Sequence, residues 1–265
     1  KIKNIEVILL LIKKNLNIKY LNTDIRSAAI QRNIGLDLIP INTKFIFVLD
    51  DDVIVEPDYI EQIIKDFTDK SIVGVSGVSR NNKSISKSEF SNLVRRIFFL
   101  YSKKMGKVTL GGINIPFIEK FSSELQRSDW LIGCAAWRFS AIKNRRYKKF
   151  LGQSLFEDVI FSIEMSKVGQ LVVDPNIIFE HKESELERPN YHDFYVMWIH
   201  NRYFVIKEMM GSSIKYLAFH WTNLGKLLQI STEIIMFRKQ GLIKLSGFID
   251  GYIKLLETIK LKNDY

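Results

Sequence analysis

The feature that most constrains the fold is a compact apolar run that ends in three consecutive aspartates. Residues 45–49 read Phe-Ile-Phe-Val-Leu, and residues 50–52 are all Asp. A run this short and this apolar is typical of a buried strand, and open α/β sheets bind ligands beyond the carboxyl ends of their strands. The sequence therefore predicts a strand over Lys44–Leu49, with the three aspartates at the edge of a ligand site.

These aspartates have the chemistry of a metal site. If the strand continues through them, alternation sends Asp50 and Asp52 to one side and Asp51 to the other. Two carboxylates on one side repel each other unless a cation joins them, and Mg²⁺ or Mn²⁺ takes oxygen ligands that it shares with substrate phosphates. The plainer alternative is an acidic turn that caps the next helix. A cap needs one carboxylate, whereas this site offers three.

Up to about His181, short β-rich runs alternate with helical patterns, which is typical of an α/β layer fold. Further strands are expected at Ile18–Leu21, Ile72–Ser76 and Leu171–Val173, helices at Asp24–Leu38 and Pro57–Phe67, and a loop at Asn81–Ser91. After about Tyr191, apolar residues recur at three- and four-residue steps, which predicts about three helices. The expected organisation is an α/β domain over residues 1–185 and a helical region over 186–265.

The composition limits the classes of binding partner and the compartment that can be expected. A net charge of +10 predicts an anionic partner such as a phosphorylated substrate or an acidic membrane face. Nucleic acid is not expected, because no RNP-type, zinc-finger or helix-turn-helix signature accompanies the charge. Cys134 is the only cysteine, so a disulfide framework is excluded and a reducing cytoplasm fits. No apolar run approaches the roughly 20 residues that span a bilayer, and no signal peptide is expected.

Further candidate residues follow downstream in an orderly sequence. Glu157 and Asp158 open a helical pattern over Val159–Val168. An apolar run ends at Gly133, which suggests a close backbone approach, and His181 follows another apolar run. Taken singly, acidic residues at a helix start compensate the helix dipole, and a histidine after an apolar run is usually structural. The ordered set indicates a site.

In this order the motifs resemble those of family 2 glycosyltransferases, which have the GT-A fold. The matching motifs are Arg32-Asn33-Ile34-Gly35, Asp50-Asp51-Asp52, Trp130-Leu131-Ile132-Gly133, Glu157-Asp158 and His181. The resemblance covers roughly Asp24 to His181. It implies a GT-A-like (Rossmann-like) mixed sheet flanked by helices, here followed by the helical region. It also implies metal-dependent, inverting transfer of a sugar from a nucleotide-diphosphate donor to an acceptor hydroxyl.

The resemblance implies a role for each matched residue. The general base that takes the proton from the acceptor hydroxyl would be Asp158. The ligands of Mn²⁺ or Mg²⁺ would be Asp50, Asp52 and His181. The donor would contact Arg32, Asp50 and Asp51, and the acceptor would contact Trp130, Gly133 and Glu157.

The chain departs from the family pattern at its amino terminus. Family members have a first strand well before the Arg-Asn helix, whereas Ile2–Lys14 has the pattern of a helix and Arg32 follows it closely. We therefore expect a domain that lacks its first strand and part of the nucleotide pocket, and that is inactive alone if this part is indispensable.

Two alternatives remain at this level. A haloacid-dehalogenase-type phosphatase would use Asp50 as nucleophile and Asp52 as acid, although no Gly-Asp pair occurs for its later metal motif. A non-catalytic sugar-binding remnant would fit the short amino terminus. An EF-hand loop is excluded because Val53-Ile54-Val55 replaces its acidic positions.

For a glycosyltransferase of this kind, the expected acceptor is a saccharide or a lipid-linked sugar in polysaccharide or glycolipid synthesis. The expected location is the cytoplasm, with peripheral contact to the inner face of the membrane, which the basic segment Arg95–Phe99 would favour. Trp198, His200, Asn201 and Arg202 offer polar and aromatic groups to an acceptor, but a packed aromatic helix is the favoured interpretation of this segment.

Overall fold

A computed structural model describes residues 17–81, 88–118, 122–150, 152, 155–182, 190–209 and 213–263. The predicted helix Ile2–Lys14 lies outside these ranges.

The strands and helices of the described ranges alternate along the first two thirds of the chain, as predicted. The strands are β1 (Phe45–Val48), β2 (Val53–Val55), β3 (Ile72–Ser79), β4 (Gln126–Arg127), β5 (Ala135–Arg138) and β6 (Gln170–His181). The helices are α1 (Ala28–Asp37), α2 (Tyr59–Asp66), α3 (Glu89–Ile97), α4 (Phe139–Ile142), α5 (Glu157–Ser166), α6 (Tyr191–Glu208), α7 (Ser213–Ile235) and α8 (Gln240–Asn263).

The strands form one mixed sheet with the order β1-β5-β3-β6-β2, and β4 pairs with β6 beside this path. The β3–β6 pair is parallel, whereas β1–β5, β3–β5 and β2–β6 are antiparallel. Every residue of β3 is buried, as expected for a central strand that is covered on both faces. The predicted mixed sheet flanked by helices and followed by a helical region is confirmed.

Helices cover the two faces of the sheet because each presents an apolar side to it. Tyr59 and Ile63 of α2, with Phe67 just after it, are buried in one cluster with Val75 and Phe179 of the sheet. A second cluster joins α1 and α5 to the sheet around Trp137. A Cβ at Gly74 would lie 2.7 Å from the Trp137 ring, so this strand position admits the indole only because it lacks a side chain.

Helices α6–α8 pack on α5 through a third cluster. It joins Val159, Ile160 and Ile163 of α5 to Trp198 and Ile199 of α6. The helix that carries Asp158 therefore lies between the sheet and the helical region. The predicted three helices are confirmed, and the boundary at residues 185/186 stays a prediction. No described helix is long and apolar enough to cross a membrane.

Two local predictions were wrong. No strand occurs over Ile18–Leu21, because no neighbouring strand of the described sheet pairs with it and an apolar run needs such pairing to become a strand. The predicted loop Asn81–Ser91 ends earlier than expected. Residues 82–87 lie outside the described part, and α3 begins at Glu89 because the Ser88 side chain accepts a hydrogen bond from the Ser91 N–H and caps the helix.

Candidate functional site

The acidic triplet lies in the connection between the two end strands of the sheet. β1 ends at Val48 and residues 49–52 lead to β2, at the other end of the strand order. Because the strand stops before the aspartates, the expected alternation does not apply to them. Asp50 turns to Arg32 and Asp52 turns to His181, while Asp51 is exposed.

Backbone pairing places Asp52 beside His181. Val53 of β2 is opposite His181, the last residue of β6, and the Lys182 N–H donates to the Asp52 carbonyl at 2.8 Å. As a result the His181 Nε2 and Asp52 Oδ1 atoms lie 2.8 Å apart, and both side chains remain partly exposed. The structure thus brings together a carboxylate and an imidazole that are 129 positions apart in the sequence.

Arg32 joins Asp50 to Glu157. Its Nη2 lies 3.0 Å from Asp50 Oδ1 and its Nη1 lies 3.2 Å from Glu157 Oε1. The guanidinium also stacks on the Tyr147 ring, at 5.4 Å from its centroid. Burial alone would lower the pKa of Arg32, but the carboxylates of Asp50 and Glu157 raise it above its ordinary value. The repulsion expected between uncompensated carboxylates is relieved by this arginine.

Two other motif residues hold this arginine in place. Asn33 Nδ2 donates to the Tyr147 carbonyl and its Oδ1 accepts from the Tyr147 N–H, both at 2.8 Å. This two-way bond fixes the ring under Arg32. A Cβ at Gly133 would lie 2.6 Å from Arg32 Nη2 and 3.2 Å from Asp50 Oδ2. The close approach predicted at Gly133 is therefore an approach to the ion pair itself.

Asp158 lies at the wall of a cavity of about 310 Å³. It stands in the first turn of α5, where the Val159 N–H donates to its Oδ1 at 2.7 Å. Burial and the neighbouring charge of Glu157 raise the pKa of Asp158 well above the usual carboxyl range. Phe156, immediately before the helix, has a left-handed backbone with φ 70°. Strained backbone of this kind clusters at functional sites.

The rest of the cavity wall comes from distant parts of the chain. Ile113 and Asn114 approach from the turn after α3, and Phe194 and Trp198 approach from α6. Phe194 and Asn114 were not predicted from the sequence, because no local pattern marks them. A contact of Trp198 with the acceptor was only the less favoured alternative, although an aromatic residue two helical turns after the start of α6 was the available signal.

Arg202, one turn after Trp198, is fully buried and supports this wall. Its guanidinium donates to the Gly111 carbonyl and to Asn223, and it lies 4.0 Å from the Trp198 ring centroid. Burial lowers the pKa of Arg202 well below its ordinary value. Arg202 thus ties the turn before Ile113 to the indole of Trp198. His200 and Asn201 are likewise buried, which agrees with the favoured packed interpretation of this helix.

Not all predicted acceptor residues reach this cavity. Trp130 is buried, donates from Nε1 to the Ile115 carbonyl at 3.2 Å, and lines a separate cavity of about 20 Å³. Glu157 lines the larger cavity but is also bound to Arg32. Within the described ranges, no three His, Cys, Asp or Glu side chains are close enough to form a complete metal site.

The pair Asp52 and His181 nevertheless fits a divalent ion. One carboxylate oxygen and one ring nitrogen already meet at 2.8 Å at an accessible position. Mg²⁺ and Mn²⁺ are commonly held by one or two protein ligands together with substrate phosphates, and the nitrogen ligand suits Mn²⁺. Asp50, by contrast, is held by Arg32.

The geometry thus defines a class: a mixed α/β sheet with an acidic, metal-compatible strand end, next to a cavity with a carboxyl of raised pKa. The model of the family "Glycosyl transferase family 2" matches residues 5–128. The matched part, slightly less than half of the chain, is similar to that family, and the match agrees with the predicted enzyme class, a glycosyltransferase. The match favours this interpretation over the phosphatase alternative.

Two solved structures are similar to the chain at low identity. The mannosyltransferase PcManGT from Pyrobaculum calidifontis, in complex with GDP-Man and Mn²⁺, shares 13% identity at a TM-score of 0.47 over 89% of this chain and 68% of that one. GalNAc-T7 with UDP, GalNAc and Mn²⁺ shares 14% identity at a TM-score of 0.45 over 83% of this chain and 46% of that one. No curated protein matches the chain.

Proposed function

We propose that this chain catalyses metal-dependent, inverting transfer of a sugar from a nucleotide-diphosphate donor to an acceptor hydroxyl. The observation that carries the proposal is the continuous arrangement from the strand end to the cavity. Asp50 is bound to Arg32, Arg32 is bound to Glu157, and Asp158 follows Glu157 at the cavity wall. The candidate base is thus connected through Glu157 and Arg32 to Asp50, which lies two residues before Asp52 of the metal-compatible pair.

Asp158 is proposed as the general base. The acceptor hydroxyl would lie in the cavity and give its proton to Asp158 as its oxygen attacks the anomeric carbon. A carboxyl whose pKa is raised towards neutrality is a stronger base, and such a group commonly contributes about 10²–10⁴-fold to the rate. The charged chain Asp50–Arg32–Glu157 would hold α5, and hence Asp158, at a fixed distance from the donor.

Asp52 and His181 are proposed to hold Mn²⁺ or Mg²⁺. The ion would neutralise the charge that develops on the leaving diphosphate. Asp50 and Asp51 directly precede Asp52 in the connection and Arg32 is bound to Asp50, so we assign these three residues to the donor side. Glu157, Asn114 and Trp198 border the cavity, so we assign them to the acceptor side.

The acceptor is proposed to be a saccharide or lipid-linked sugar, in polysaccharide or glycolipid assembly at the cytoplasmic face of a membrane. An aromatic residue such as Trp198 beside polar groups suits a sugar ring, which has an apolar face and hydroxyls at its edge. The charge of +10 would favour an anionic membrane or a phosphate-linked acceptor.

Calorimetric titration of UDP and GDP into the protein, with and without Mn²⁺, tests the donor side. One nucleotide should bind only with Mn²⁺, and Asp52→Asn should abolish this metal-dependent binding. Asp158→Asn is the matched control, because it also replaces one carboxylate by an amide but lies on the acceptor side. It should bind the nucleotide as the unmodified chain does.

Metal-independent binding that survives Asp52→Asn would exclude the proposed metal pair. If nucleotide and metal bind as expected, incubation with UDP- and GDP-sugars and an acceptor mixture should give a product whose anomeric configuration is opposite to that of the donor. Binding without any turnover would indicate the sugar-binding remnant instead.

A further inference from the structure

The turn between α7 and α8 exposes apolar side chains at an unusual density. Ile235, Met236 and Phe237 are 74%, 63% and 95% exposed, and Leu242 and Ile243 in the first turn of α8 are exposed as well. We refer to these five residues as the hairpin tip. Single exposed apolar residues are normal on proteins, but contiguous apolar surface marks an interaction site.

The backbone of the hairpin tip is hydrogen-bonded to the end of α7 and carries strain at Phe237, its most exposed residue. The Phe237 N–H donates to the Ile234 carbonyl at 2.9 Å, and the Arg238 N–H donates to the Glu233 carbonyl at 3.0 Å. Phe237 itself has φ 54°, a left-handed conformation that usually ends helices at glycine or asparagine. A phenylalanine here has an unfavourable backbone conformation and a ring that is exposed to water. These two costs indicate a binding role for the ring.

Two cations stand directly beside this apolar surface. Arg238 and Lys239 follow Phe237 and are exposed, and within the described ranges neither forms an ion pair. The acidic residue nearest the turn, Glu233, is bound to Lys244 at 2.6 Å. The hairpin tip therefore combines protruding apolar side chains with positive charge that no acidic side chain of the described part neutralises.

This combination fits an anionic lipid surface. Apolar side chains can enter the headgroup boundary while neighbouring Arg and Lys side chains contact anionic headgroups. A second copy of the chain fits less well. A two-fold dimer through this patch would place the patch against itself, so Arg238 and Lys239 would face the same cations of the other copy.

We propose that the hairpin tip is a membrane-docking element that inserts Phe237 and Met236 into the headgroup region of an anionic bilayer. The proposal goes beyond sugar transfer and does not depend on it, because the tip shares no residue with the Asp158 cavity. It supplies a physical element for the peripheral membrane contact that the basic charge alone leaves unlocalised.

Flotation with vesicles of phosphatidylcholine and phosphatidylglycerol, compared with phosphatidylcholine alone, tests the proposal on the full chain. The chain should bind the anionic vesicles more tightly. Phe237→Gly removes the ring and relieves the left-handed backbone, so the fold should be retained while binding falls by roughly tenfold or more, the effect of withdrawing one buried aromatic side chain. Arg238→Gln with Lys239→Gln should weaken binding to anionic vesicles by about fivefold for each cation.

Matched controls replace equivalent groups away from the hairpin tip. Ile41→Ser removes another apolar side chain, which is 80% exposed, and Lys70→Gln with Lys143→Gln removes two exposed lysines. Both should leave vesicle binding nearly unchanged. Phe237→Gly should unfold at the same temperature as the unmodified chain or a higher one, because glycine relieves the left-handed backbone. Its metal-dependent nucleotide binding should be unchanged, which separates loss of docking from loss of the donor site.

Equal losses in the control and tip variants would overturn the proposal, as would the absence of binding to anionic vesicles. Analytical ultracentrifugation without lipid tests whether a second copy of the chain covers the hairpin tip. A dimer that dissociates on Phe237→Gly would show that a second copy, rather than a bilayer, covers the hairpin tip.

Discussion

Arg32 and Arg202 are both buried arginines, but they lie in different regions and have opposite electrostatic environments. Arg32, at the sheet, is bound to two carboxylates, and these raise its pKa. Arg202, in the helical region, bonds to a carbonyl and an amide and stacks on aromatic rings, and burial lowers its pKa. The same side chain is thus a charge-balancing bridge in one region and a packing element in the other.

The difference shows that the sheet region and the helical region make different contributions to the cavity. The sheet region supplies charge, because Asp50, Arg32 and Glu157 lead to Asp158. The helical region supplies shape, since Arg202 positions Trp198 and the turn before Asn114. Substitutions on the sheet side should therefore change chemistry and electrostatics, whereas those on the helical side should change packing.

The largest effect is expected on the transfer rate, at Asp158, which follows the series of charged residues Asp50, Arg32 and Glu157. Asp158→Asn keeps the shape of the side chain but removes its basicity, so the transfer rate should fall by about 10²–10⁴-fold. Product formation at saturating donor and acceptor measures this effect, and the nucleotide affinity should be unchanged. A variant that keeps more than a tenth of the rate would remove Asp158 from the role of base.

The next effect concerns the arginine bridge. Arg32→Met leaves Glu157 buried beside an apolar side chain, and removing one partner of a buried pair costs about 3–5 kcal/mol. We expect about 3 kcal/mol, the low end of that range, because Asp50 is a third exposed and water screens its share. Urea unfolding measures the loss.

A double variant provides the control for the bridge. Glu157→Gln removes the charge that Arg32 balances, so the two substitutions together should cost less than the sum of their separate costs. Simple additivity would show that Arg32 does not act through Glu157.

The sheet region shows how far the sequence alone could go. The strand before the aspartates and the helix after Glu157 were predictable, because each has a local signature in apolar spacing. The bridge by Arg32 was not, since its partners lie 18 and 125 positions away and no local pattern reports such distances. The placement of Asp50 and Asp52 on one side was expected only if the strand continued through them. The strand stops at Val48, and tertiary contacts then direct each side chain.

The helical region was less predictable in its function than in its structure. Apolar periodicity was sufficient to predict three helices, but it does not distinguish side chains that line a cavity from side chains that only pack in the core. Trp198 and Ile199 follow one another in that pattern and lie in the same core cluster, but of the two only Trp198 also lines the cavity. Only the packing of α6 against α5 distinguishes them. The wrong strand at Ile18–Leu21 has a related cause, because an apolar run does not reveal whether a neighbouring strand exists to pair with it.

A smaller effect is expected at Arg202 than at Arg32. Arg202→Met removes donors to the Gly111 carbonyl and Asn223, which costs about 1–3 kcal/mol for a buried group left unpaired, but it also removes a buried cation that has no carboxylate partner among the described residues. The net loss in urea unfolding should therefore lie near the low end of that range. A loss larger than that of Arg32→Met would reverse the comparison between the two regions.

The smallest effect on stability should arise at Gly133, whose Cα faces the ion pair between Arg32 and Asp50. A methyl group there would lie 2.6 Å from Arg32 Nη2, at the end of a flexible side chain, and would force the guanidinium to move from Asp50. Gly133→Ala should cost about 1 kcal/mol, the worth of one charge-assisted hydrogen bond partly replaced by water. Gly35→Ala is the matched control, because a Cβ there meets nothing within 4 Å, and on a helix it should be neutral or stabilising. If both variants unfold at the same urea concentration, Gly133 does not set the position of Arg32. If Gly133→Ala is destabilising only while Asp50 is ionised, the methyl group acts through the ion pair, as the geometry of the sheet region requires.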